Sequence, residues 1–185
     1  MSTPLQVTVS RLRVPVTEAD HIRGPADAPA TLVQYGDYQC VHCGRAHAVL
    51  GEVLRQRPET VRLVFRHFPL VNVHPYAEDA AEVAEAAAAR GSFWEMHDWL
   101  FEHQDQLDPV HLSLGMQQLG LPADEIGEEV GGHAYLDRIR GDFVGAIRSG
   151  VNATPTFFLN DFPHDGSYAV ADLLAAIDKA ADQPS

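Results

Sequence analysis

The chain has only two cysteines in 185 residues, which rules out the multi-bridge framework that small secreted domains use to compensate for a thin core. It also has no run approaching the roughly 20 apolar residues that a bilayer-spanning helix needs. The alanine-rich stretch around residues 80–89 is broken by Glu82 and Glu85, so no membrane association is expected. The opening MSTPLQVTVSRLRVPVTEADHI alternates polar and apolar residues and lacks the apolar core of a secretory signal. If Met1 is the natural start, the expected location is cytoplasmic; a secreted chain trimmed of its leader would read the same. Positive charge is scarce as well. Thirteen basic against 26 acidic side chains give a formal charge of −13, which opposes nonspecific attraction to nucleic acid. There is no repeat at solenoid periods and no low-complexity segment beyond the alanine-rich one.

The remaining composition, 45% apolar and 21% charged, is that of an ordinary folded domain. The length suits one unit over residues 1–185, expected to be a monomer. Residues 1–19, with Val7 and Val9 alternating against polar neighbours, offer an edge strand or an arm. Gly24, Pro25 and Pro29 then mark a turn before Thr31 to Tyr35, a β-branched and aromatic run that reads as a buried strand. After Cys40 the spacing of Ala46, Val49, Leu50, Val53 and Leu54 predicts a helix ending before Pro58. Val61 to Phe68 returns to alternation, with Val61, Leu63 and Phe65 on one side, which completes a βαβ unit.

From residue 75 to 149 strand signals vanish and about five helices are expected. Ser92 with Glu95 forms a capping box, and Asp108-Pro109 supplies a cap and a first-turn proline. Leu136, Ile139, Phe143 and Ile147 keep helical spacing up to Gly150. The end of the chain is β-like over Thr156 to Leu159, turns at Asn160-Asp161, pairs back through Phe162 to His164, and closes with a helix carrying Leu173, Leu174 and Ile177. The resulting order is βαβ, an all-helical insert over residues 75–149, then ββα: an α/β fold with its sheet covered by helices.

The two cysteines stand as Cys40-Val41-His42-Cys43 where the first strand runs into the first helix. Residues three apart on a helix lie roughly 5–6 Å apart at Cβ, close enough for a disulfide to close with modest adjustment. Cys40, at the helix start, meets unpaired N–H groups and the positive end of the helix dipole, which favour a thiolate. His42 can add a hydrogen bond or positive charge, and such surroundings lower a thiol pKa to roughly 3.5–7.5. Cys40 is therefore read as the nucleophile. Cys43, a turn deeper and less exposed, is the resolving partner, and no cofactor beyond this pair is required.

The segments ATLVQYGDYQCVHC, VRLVFRHFPLVNVHP, GSFWEMHDWLFEHQDQL and GVNATPTFFLN, in this order, resemble the DsbA-like branch of the thioredoxin superfamily over roughly residues 20–178. The resemblance implies a thioredoxin-like sheet with a helical insert and thiol-disulfide exchange with protein thiols or small thiols such as glutathione. It also implies that Pro155 follows a cis bond beside the cysteines and that Thr154 offers backbone hydrogen bonds to a substrate chain. Val41 departs from the pattern, since the best-known oxidising members carry proline there. The direction of electron flow is therefore left open among oxidation, isomerisation and reduction, with a cytoplasmic setting favouring reduction.

Two rivals stand beside this reading. A metal site could draw on Cys40, Cys43 and His47 with His42 or His74, although a structural zinc usually takes four ligands in paired clusters. A glutathione-dependent transferase or isomerase could use the same scaffold, although such relatives generally lack the second cysteine. The other histidines read as surface or core filling, and Trp94, Trp99 and Phe101 as core or as the border of a substrate groove. Asp37 reads as a solvated loop carboxylate, with proton transfer as its alternative.

Overall fold

The computed structural model describes residues 11–182, so the strand considered around Val7 and Val9 falls outside the described residues. The order is β1 (His21–Arg23), β2 (Ala30–Gly36), α1 (Val41–Gln56), β3 (Val61–His67), α2 (Ala77–Ala88), α3 (Phe93–Glu102), α4 (Pro109–Gln118), α5 (Ala123–Gly131), α6 (Leu136–Arg148), β4 (Thr156–Leu159), β5 (Phe162–Pro163) and α7 (Val170–Ala181). The βαβ unit, the five inserted helices and the closing ββα all appear as read from the sequence. Among the described residues, the strand on the outer side of β3 is His21–Arg23, antiparallel to it.

The sheet runs β1-β3-β2-β4-β5, with β2 and β3 parallel and every other pairing antiparallel. Both faces are covered. Leu32, Val61, Leu63 and Phe157 pack under α1 and α7 through Ala46, Leu50, Val53, Leu173 and Ile177. On the other face, Val33, Tyr35, Val64 and Phe158 meet Ala146 of α6 and Leu12. This double cover explains why β3 buries residues on both sides rather than presenting a wet face. Of its two arginines, Arg66 is 2% exposed and is neutralised by Asp20 through two hydrogen bonds of 2.7 and 3.0 Å.

The insertion forms a core of its own over the upper end of the sheet, where Phe65, Tyr38, Cys40 and Cys43 join Ala80, Ala84, Met96, Leu100 and Phe101. Alanine is what lets α2 sink so far, since small side chains allow close helix approach. Glu82 and Glu85, read from sequence as breaks in an apolar run, are buried anchors: Glu82 receives His133 at 2.8 Å, and Glu85 receives His21 and His67 at 2.7 and 2.8 Å. The Asp108 cap is present, accepting from the N–H groups of Val110 and His111. Ser92 sits at the start of α3 but makes no side-chain cap bond, so the expected capping box does not form.

Candidate active site

β2 ends at Gly36, where any β-carbon would stand 2.6 Å from the Phe65 ring, and the chain then turns through Asp37, Tyr38 and Gln39 into α1. Asp37 organises this turn. Its carboxylate accepts from the Gln39 N–H at 2.7 Å, the Leu70 N–H at 2.8 Å and His74 Nδ1 at 2.8 Å. Asp37 is only 2% exposed, which corrects the solvated-loop reading: it is a buried tie between the cysteine turn and the segment after β3. Gln39 adds a second tie by accepting from the Tyr76 N–H.

Cys40 is the N-cap residue of α1, with extended backbone angles of −72° and 117°. Its sulfur lies where the first-turn N–H groups have no helical acceptor. The Cys40 thiol pKa falls to about 5, chiefly because Cys43 donates its S–H to the sulfur. Burial opposes the shift, while the backbone N–H groups of Cys43 and His42 assist it. Cys43 moves the opposite way. It is fully buried, and burial together with its donation to Cys40 pushes its pKa far above the ordinary thiol range. Both cysteines stand as free thiols.

The sheet brings the second half of the site to the first. The antiparallel register pairs Tyr35 with Thr156, so residues 154 and 155 arrive opposite the start of the cysteine turn. The Thr154–Pro155 peptide bond is cis, and the Thr154 carbonyl lies 3.5 Å from Cys40 Sγ. The Thr154 hydroxyl is buried without a hydrogen-bond partner. Cys40, Cys43, Thr154 and Pro155 therefore share one site. His42 stands at its rim: its side chain is exposed and makes no hydrogen bond among the described residues, and what reaches the Cys40 sulfur is its backbone N–H.

The metal combination weighed from sequence does not converge. Among the described residues, the groups close enough to share an ion are His21, His67 and Glu85, and His47, His97 and Asp98, neither of which includes a cysteine. His74 is committed to Asp37. Trp99 and Phe101 are buried core, while Trp94 is half-buried and donates to the Ile22 carbonyl at 3.1 Å. Sequence reasoning missed the polar groups behind the site. Tyr38 pairs with buried His97 at 3.0 Å, and Gln104 reaches the turn from the end of α3.

Residues 16–179 match the family profile described as thioredoxin. The chain belongs to that family. Its fold is similar to BdbD from Bacillus subtilis, with a TM-score of 0.84 at 20% identity over 94% of this chain and 97% of that one. It is similar also to α-DsbA1 from Wolbachia pipientis, with a TM-score of 0.81 at 22% identity over 94% and 96% of the two chains. The thioredoxin-like α/β fold with its helical insertion is thus shared with these two structures. By sequence, the chain is 46% identical over 170 residues to a protein of Salinispora arenicola named Na(+)/H(+) antiporter NhaA 1, matching 91% of this chain but 26% of that protein. It therefore spans about a quarter of such relatives. No helix among the described residues is long and apolar enough to cross a membrane.

Proposed function

We propose that this thioredoxin-family chain is a thiol-disulfide oxidoreductase that exchanges disulfides with polypeptide substrates through Cys40 and Cys43. The observation that carries this reading is that two neighbouring sulfurs are pushed in opposite directions, one towards the anion and one towards the thiol. The asymmetry goes with a placement: Cys40 caps α1 beside the cis Thr154–Pro155 bond, and Cys43 is fully buried. A stabilised thiolate is both an attacking group and a good leaving group.

In the reducing direction, the Cys40 thiolate attacks a substrate disulfide, and the departing substrate sulfur takes up a proton. Cys43 then gives up its proton and attacks the Cys40 sulfur, which releases the second substrate thiol and leaves the Cys40–Cys43 disulfide. Oxidation runs the same steps backwards: a substrate thiolate opens the Cys40–Cys43 bond, and a second substrate thiolate displaces Cys40. Val41, Val71 and Val73 expose apolar side chains on segments that Asp37 binds together, which favours polypeptide substrates over a small charged thiol such as glutathione.

The test is a redox cycle with mild oxidant and dithiol reductant, scored as free thiols per chain, beside disulfide exchange with a reduced or oxidised model polypeptide. The expected result is interconversion between two thiols and none, loss of exchange in Cys40→Ala, and a trapped mixed disulfide in Cys43→Ala. A chain that never cycles would overturn the assignment. Cytoplasmic location, monomeric state and direction of electron flow belong to the same proposal; they are read by fractionation, size-exclusion chromatography and the equilibrium potential.

A further inference from the structure

Gln104 lies in the turn after α3, and the reaction steps above do not use it. Its Nε2 donates to the Tyr38 carbonyl at 2.7 Å and to the Cys40 carbonyl at 2.9 Å, which commits both amide hydrogens to backbone at the entry to α1. A second observation concerns the same amide from the other side. Gly44 is the first residue past the dithiol, and a β-carbon there would overlap Oε1 of Gln104. The missing side chain is what lets the amide lie against the helix.

The turn that presents Gln104 is fixed independently. His103 stacks on Trp99 with ring centroids 4.2 Å apart and donates from Nδ1 to the Trp99 carbonyl at 2.8 Å, and the Gln106 N–H closes the turn on the His103 carbonyl at 2.8 Å. The Cys40 carbonyl meanwhile accepts the Gly44 N–H at 3.1 Å, so Gln104 adds a second restraint to a carbonyl that already begins the helix.

We propose that Gln104 is a positioning residue of the dithiol site, tying the inserted helices to the carbonyls of Tyr38 and Cys40 and thereby fixing the N–H groups that face the Cys40 sulfur. The inference rests on Cys40 being the attacking sulfur. Its physical basis is the peptide plane and the helix built on it: a held Cys40 carbonyl fixes the Cys40–Val41 plane, and the helical dihedrals of α1 set from it the next two planes, which carry the His42 and Cys43 N–H groups. Without the amide, these donors reorient among more conformers and serve the thiolate less well.

The experiment is a titration of the Cys40 thiolate, by its ultraviolet absorbance, in the full chain. Gln104→Met keeps length and loses both donors. Its midpoint is expected to rise by about one pH unit, the scale of one or two weakened hydrogen bonds. Gly44→Ala, which must displace the amide, shifts it in the same direction, and the double variant adds little to either single change. Asp108→Ala removes the cap of α4 in the same insertion and is the control; it lowers the melting temperature without moving the midpoint.

A Gln104→Met protein that titrates like the parent, or an Asp108→Ala protein that shifts as far, overturns the proposal. If Gln104→Met does not fold, Gly44→Ala decides alone, and an unmoved midpoint there overturns it equally. Thiol cycling of the parent is scored separately: a parent that never cycles sinks the oxidoreductase reading, whereas a cycling parent with an unmoved variant sinks this one.

Discussion

The strongest contributor to the Cys40 anion is the S–H of Cys43, so deleting that donor should move the Cys40 pKa more than any other single change. A hydrogen bond to a charged acceptor is worth about 1.5–3 kcal/mol, and one pKa unit corresponds to about 1.4 kcal/mol, so Cys43→Ala should raise Cys40 by about 1–2 units. The shift takes it from about 5 to the neighbourhood of neutrality. Two effects then compete in an alkylation assay. Fewer sulfurs are ionised at low pH, but each thiolate is more nucleophilic, by about threefold per unit at a Brønsted slope near 0.45. Combined, Cys43→Ala should alkylate about 2- to 6-fold more slowly than the parent at pH 5 and about 3- to 7-fold faster at pH 8, where both are ionised. Cys43→Ser keeps a donor and should stay near the parent at both pH values. Rate profiles that do not cross, or a serine variant that behaves like the alanine one, would refute the account of how the thiolate is held.

Asp37→Asn replaces one acceptor oxygen with a donor facing the Leu70 or Gln39 N–H, or His74. It should cost about 1–3 kcal/mol in urea unfolding and speed proteolysis within residues 69–75; an unchanged midpoint would remove Asp37 from its organising role. Asp20→Asn strands the buried Arg66 guanidinium, a loss of about 3 kcal/mol by the cost of breaking a buried pair. Burial is the largest single effect and pushes Asp20 up, but the hydrogen bonds from Arg66 and the Thr17 N–H, with the charges of Arg66 and Arg138, together outweigh it and hold Asp20 below its ordinary pKa. The parent's advantage is therefore present above about pH 4, the unfolded value, and is lost as pH falls through the lower folded one. The stability gap between the two proteins should narrow on acidification from pH 5 to pH 3, and a constant gap would count against the ion pair.

The parts of this molecule that were legible in its sequence are those whose causes are local. The helix after Cys40 announces itself by spacing, the cap at Asp108 by its neighbouring proline, and the hairpin by Asn160-Asp161, both of which adopt positive φ. The dithiol is legible for the same reason, since a helix start and a three-residue interval are short-range facts. What stayed hidden depends on distant partners. Asp37 looks like a loop carboxylate until Leu70 and His74, 33 and 37 residues on, close around it. Gln104 lies 64 residues from the Cys40 carbonyl it holds. β1 has three residues and no periodicity of its own, because its pairing is dictated by β3. His42 shows the converse: its chemistry suggested a direct role, but its place on the exposed side of the first turn leaves only its backbone N–H near the sulfur.

The same asymmetry bears on the direction of electron flow, because a fold that stabilises the Cys40 anion stabilises the reduced protein and leaves the disulfide untouched. With the Cys40 pKa at about 5, roughly two pH units separate it from neutrality, and each tenfold preference shifts a two-electron couple by about 30 mV. The pair should thus be about 60 mV more oxidising at pH 7 than one with an ordinary thiol. The pH dependence tests this without reference to any partner. Below the Cys40 pKa, reduction takes up two protons with two electrons, and the potential should fall by about 59 mV per pH unit. Above it, only Cys43 binds a proton, since its own pKa lies beyond the working range, and the slope should halve to about 30 mV per unit. A potential measured against glutathione buffers should therefore bend near pH 5. A line that keeps the steeper slope up to pH 7 would mean that Cys40 is still protonated there, and the nucleophile would have to be explained some other way.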